Sequence, residues 1–130
     1  MKNEDLRKRT KQFALRIIRV FASLAKRDDI QQVVGRQLLR SGTSVGAQYR
    51  EATRARSPAE FISNVTSAMQ ELDETGYWLE VLVESGTVPA KKLDALMRET
   101  DELLAIFFSS IRTAGHKLRA GIQCSLFVFG

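Results

Sequence analysis

Only two prolines, Pro58 and Pro89, occur in the 130 residues, and each stands where a helix would start rather than where one would break. Ser57-Pro58-Ala59-Glu60 sets Ser at the N-cap, Pro at the first helical position and Glu at the third. Gly86 suits the left-handed residue that closes a helix, and Pro89 then opens the next at its first position. The remaining sequence is free to run in long helices, and its apolar residues recur at spacings of three, four and seven.

Four helices follow from this pattern. The first spans about 4–26, with Leu6, Phe13, Ile17, Phe21 and Leu24 on one face. Asp28 or Asp29 can cap the second, each being followed three residues later by Gln31 or Gln32. The second spans about 30–54, with Val34, Leu38, Val45, Tyr49 and Ala52 as its stripe. Within it lies Arg40-Ser41-Gly42-Thr43-Ser44-Val45-Gly46-Ala47, a run that propensity alone would leave as a loop. Gly42 and Gly46 are four apart, however, and such a small-residue stripe lets another helix approach closely, so a continuous helix is expected. The third helix carries Phe61, Val65, Ala68, Met69, Leu72, Gly76, Leu79 and Val83. The fourth carries Leu93, Leu96, Met97, Thr100, Leu103, Leu104, Phe107 and Ile111 and is expected to end near Gly115. Short connections make successive helices antiparallel, so the fold class is all-α, an up-down four-helix bundle over 1–115. Residues 116–130 would form a C-terminal tail ending in Leu126-Phe127-Val128-Phe129, docked on the bundle or used in assembly.

Charge is distributed unevenly. Residues 1–56 hold fourteen Lys/Arg against five Asp/Glu, and the remainder six against ten, so the net +5 joins a +9 half to a −4 half. A basic half suits a polyanion or an acidic surface on a neighbouring subunit. Arg7, Lys8, Lys11, Arg16 and Arg19 on helix one, with Arg40 and Arg50 on helix two, are the candidate nucleic-acid contacts. Two stretches, 77–83 and 103–108, are apolar nearly all round, which nominates Tyr77, Trp78, Val81, Ile106 and Phe108 as an oligomer interface. Tyr49 could stack on a base or lie in the core.

Catalytic and metal chemistry find little support. The one histidine, His116, is too few for a di-iron bundle, which needs two Glu-x-x-His motifs. Arg112 and His116 are closer than the Arg-x(4–6)-His spacing of helical ribonucleases, and His116 reads instead as a cation at a helix C-terminus. Glu51, Glu71, Asp73 and Glu74 could cluster as paired carboxylates, or Glu51 could pair with a nearby Arg. No residue set calls for a cofactor or a metal. A single cysteine, Cys124, fits a reducing cytoplasm, and no apolar window is long enough for a membrane span.

The run Arg40–Ala52, then Ser57-Pro58-Ala59-Glu60-Phe61-Ile62, then Glu71-Leu72-Asp73-Glu74-Thr75-Gly76-Tyr77-Trp78-Leu79 resembles, in order, the four-helix-bundle protein family encoded in 23S rRNA intervening sequences. The likeness extends over about residues 5–115. It departs at Gln48, where many relatives have Asn, and in the apolar tail. The resemblance implies a left-handed up-down bundle assembling as a barrel-like homopentamer. It also implies kinship with the accessory protein of diversity-generating retroelements, a basic pentamer that binds nucleic acid and a reverse transcriptase. The functions to expect are therefore an oligomeric RNA-associated accessory protein or, alternatively, a protein-interaction module without a nucleic-acid role.

Overall fold

The computed structural model describes the backbone of residues 3–24 and 28–129, and side-chain surroundings for 5–24 and 28–121. It contains helices α1 (Asn3–Ser23), α2 (Asp29–Ala52), α3 (Pro58–Glu84) and α4 (Ala90–Phe129). Among the described residues there is no strand. The last residues expected for helix one, 25–26, lie outside the described set.

Local chemistry sets the helix ends. Asp28 rather than Asp29 caps α2, its Oδ1 accepting from the Ile30 amide at 2.8 Å. Ser57 caps α3, its Oγ accepting from the Glu60 amide at 3.1 Å. The reciprocal bond expected from Glu60 to the cap is displaced by one residue, Glu60 Oε2 accepting from the Arg56 amide at 3.4 Å. At the other end of α3, Gly86 has φ +77. Gly86 N–H donates to Val83 O, and Thr87 N–H to Leu82 O at 3.1 Å, the paired bonds of a Schellman closure. Pro89 immediately precedes α4 instead of occupying its first turn.

Contacts between helices run in opposite sequence directions, which makes each neighbouring pair antiparallel. On the α1–α2 face, Leu24 lies by Gly35, Ile17 by Gly42 and Thr10 by Gly46. Between α2 and α3, the Ser41 and Thr75 hydroxyls meet at 3.0 Å, both buried and each also reaching a carbonyl one turn back on its own helix. Between α3 and α4, Gly76 faces Thr100. The core comprises Leu6, Phe13, Ile17, Leu38, Val45, Val65, Leu72, Leu79, Leu93, Leu103 and their neighbours. Each large apolar side chain buried there contributes about 1.5–3 kcal/mol. Tyr49 belongs to this core: it is buried and stacks on Phe107, ring centroids 5.6 Å apart and planes 14° from parallel.

The glycine run is continuous helix, and the helix it admits is α1. A Cβ on Gly42 would come within 2.7 Å of Ile17 Cγ1. The α1–α4 seam is the sparsest of the bundle. Arg9 crosses it, reaching Glu99 Oε1 at 2.6 Å and Glu102 Oε1 at 3.1 Å. The hydrogen bond to Glu99 holds the Arg9 guanidinium above its ordinary pKa.

Helix four does not stop at Gly115 but continues in helical backbone to Phe129. One glycine costs a helix only about 1 kcal/mol, and no proline follows it. The expected packing of Leu126–Phe129 lies outside the residues whose side chains are described.

Two expectations follow. Gly42→Ala should lose about 1–3 kcal/mol by overpacking against Ile17 despite alanine's better helix propensity. Gly46→Ala, whose Cβ would sit 3.4 Å from Thr10 O, should change stability by less than about 1 kcal/mol; urea midpoints of both variants check this. Burial also raises the Tyr49 phenol above its ordinary value of 10.0, while the charge of Arg7 pulls it down. The folded state therefore favours the neutral phenol. That preference is fully present below pH 10 and is lost as pH climbs through the folded value. Tyr49→Phe should unfold less steeply than the parent between about pH 10 and 12 in circular dichroism titrations.

Candidate nucleic-acid interface

The close approach of α1 to α2 opens outward into a cleft at one end of the bundle. Small groups line it where the two helices meet, Thr10, Ala14, Thr43 and Gly46, with Ala47 at the exposed edge. Its rim is cationic: Arg7 and Lys11 from α1, Arg50 from the last turn of α2, and Arg54 and Arg56 from the α2–α3 connection. Arg50 and Arg54 are four residues apart, so continuing the helical turn past the Thr53 cap brings them to one side. Arg50 also lies at the negative end of the α2 dipole. Two carboxylates, Glu51 and Glu60, and Asn64 complete the lining of a space of about 710 Å³. Among the described residues, none of the five cations forms an ion pair with a carboxylate.

The candidate cations therefore divide. Arg7, Lys11 and Arg50 come together, whereas Lys8, Arg16 and Arg19 lie on other faces of α1 and do not line the cleft. Arg40 is placed elsewhere. It clamps Glu71 at 3.3 Å and Glu74 in a shorter contact, and the Glu74 hydrogen bond raises its pKa. Its side chain joins α2 to α3 instead of standing free for phosphate. Arg54 and Arg56 were not singled out from sequence. The signal that could have found Arg54 is its place one helical turn beyond Arg50; Arg56, in the connection, carries no such period.

The carboxylates do not form one cluster. Glu71 and Glu74 serve Arg40, Glu51 lies in the cationic cleft, and Asp73 is exposed. Among the described residues no group of three His, Cys, Asp or Glu side chains converges as a metal site. His116 is not at a helix end, since α4 continues past it. Its Nδ1 lies 3.1 Å from Arg119 Nη2, one turn on.

The apolar candidates divide as well. Tyr77 and Phe108 are exposed, at 57% and 54%. Trp78, Val81 and Ile106 are instead half-buried against their own core. The Trp78 indole N–H donates to Glu74 Oε2 at 3.2 Å, and its ring meets Tyr77 edge-on at 4.9 Å. Sequence reading missed Leu15, Ile18, Ile30 and Val33, the last two 61% exposed.

A second cleft lies on the far side of the same connection, about 680 Å³ in volume. Phe61 and Ile106 give it apolar walls, and Thr53, Ser57, Ser109, Ser110 and Thr113 line it with hydroxyls. Lys117 is its one charged residue. No helix among the described residues is long and apolar enough to cross a membrane.

The chain is similar to a crystal structure of a protein of unknown function from the S23 ribosomal protein family of Bacteroides thetaiotaomicron VPI-5482. The two share 33% identity with a TM-score of 0.78, over 86% of this chain and 99% of that one. Among curated proteins none matches. Residues 2–109, which take in α1 to α3 and the first half of α4, match the family described as 23S rRNA-intervening sequence protein, and the chain belongs to that family.

Proposed function

We propose that this protein is a non-enzymatic, homo-oligomeric accessory protein of the cytoplasm that binds RNA through the cleft between α1 and α2. The observation that carries the reading is the gathering of Arg7, Lys11, Arg50, Arg54 and Arg56 around small residues. Cations without carboxylate partners at one concave site attract phosphates, and Arg and Lys contacts to phosphate carry affinity without sequence choice. Binding is accordingly salt-dependent and weakly sequence-specific. A homopentamer, the assembly implied by family resemblance, would repeat the cleft around a ring and raise affinity through avidity. Exposed Tyr77, Phe108, Ile30 and Val33 support self-association.

The same exposed apolar residues favour a second reading, in which the surface serves protein partners and the cations serve contacts between subunits.

Size-exclusion chromatography with light scattering, run with a short structured RNA at low and high salt, separates the two. We expect an oligomer that shifts with RNA at low salt only. With five phosphate contacts per subunit, the log–log salt slope should be about −3.5 to −4.5. Arg50→Glu combined with Arg54→Glu should lower affinity at least about tenfold and flatten that slope, without altering the oligomer. An oligomer indifferent to RNA at every salt concentration would favour the protein-partner reading.

A further inference from the structure

The α2–α3 connection deals its residues to two sides. Arg54 and Arg56 line the cationic cleft, while Thr53, Ala55 and Ser57 line the second. Successive Cα atoms are about 3.8 Å apart, so the two clefts share a lip only one residue wide. One side of that lip presents guanidinium groups and the other presents an aromatic wall with hydroxyls. This is the division of chemistry within a nucleotide: an anionic backbone on one side and a flat base with hydrogen-bonding edges on the other.

Resting on the RNA-binding reading, we propose that the second cleft is a base subsite for single-stranded nucleic acid. The strand would cross the 53–57 connection with its phosphates on Arg54 and Arg56 and one unstacked base turned into the second cleft. Phe61, half-buried against the core, leaves the rest of its ring to the cleft for a base to lie on. Ser109 and Thr113 supply hydroxyls that can donate or accept along a base edge, and Ser110, whose hydroxyl donates to Ile106 O at 3.0 Å, can accept. No carboxylate lines the cleft to repel the flanking phosphates, and Lys117 can meet one of them. A duplex keeps its bases stacked inside, so this subsite selects single strands, loops or ends. Hydroxyls that rotate to suit either donor or acceptor make the site tolerant of base identity.

The test uses the full chain and three fluorescent probes of equal length: a single-stranded oligoribonucleotide, the same strand without bases, and a duplex. Fluorescence anisotropy at low salt should show the base-bearing strand binding roughly tenfold tighter than the abasic one, the factor that one stacked base supplies. The duplex, whose bases stay stacked inside, should bind equally to the parent and to variants of the second cleft. Ser109→Leu fills the cleft at an exposed position, and Phe61→Leu removes the aromatic face while keeping apolar volume. Either variant, with its helicity and melting confirmed by circular dichroism, should bring that ratio close to one and leave abasic affinity unchanged. Equal binding of base-bearing and abasic strands by the parent, or a ratio that survives both substitutions, would overturn the base subsite and leave the cationic cleft standing. Failure of all probes to bind would overturn both.

Discussion

The contact of Ile17 with Gly42 sets the distance between α1 and α2, and most of the molecule's shape follows from it. With no side chain at Gly42, the isoleucine rests against helix backbone, and the two axes come closer than larger residues would allow. Gly35 and Gly46 extend the same approach toward both ends. A helix containing so many small and hydroxyl residues is poor by propensity. Ser41, Thr43 and Ser44 each return a hydrogen bond to a carbonyl one turn back, which satisfies their hydroxyls within the helix. Tertiary packing on α1 and the Ser41–Thr75 contact with α3 then outweigh the local preference.

The rest of the bundle is joined by different means. Between α2 and α3 the buried hydroxyl pair is accompanied at the surface by Arg40 and its two glutamates. Between α3 and α4 the bond is largely apolar, with a Schellman closure fixing the turn. The α1–α4 seam relies on a two-pronged Arg9–Glu99 contact supported by Glu102. Half-buried guanidinium–carboxylate geometry of this kind gives direction as well as attraction. It thereby ties α1 to a helix that it otherwise scarcely touches.

Much of the fold was legible because it rests on local rules. Ser57 and Gly86 mark ends through backbone hydrogen bonding that neighbouring residues alone determine, and the apolar periods name the buried faces. The expected stop at Gly115 was wrong because a lone glycine is a weak penalty, whereas Gly86 has a closing hydrogen-bond pair and a proline behind it. The site was legible only in part. Charge counting found the basic half, but it could not tell Arg50, which faces the cleft, from Arg40, which faces two glutamates on another helix. Arg54 and Arg56 take their meaning from how the chain leaves α2, and Phe61 from the gap between α3 and α4. Both depend on relations between helices that no single-helix period records. Trp78 likewise looks like a sticky surface residue until Glu74 and the core beside it are in place.

Exposed turns between helices are ordinarily where a chain accepts extra residues. The α2–α3 connection is exposed over most of its length, yet its members alternate between two unlike surfaces. One residue added or removed there would shift the residues after it relative to those before, so that Arg54 and Arg56 would no longer line the same cleft. Its length is thus held by the surfaces on both flanks rather than by burial.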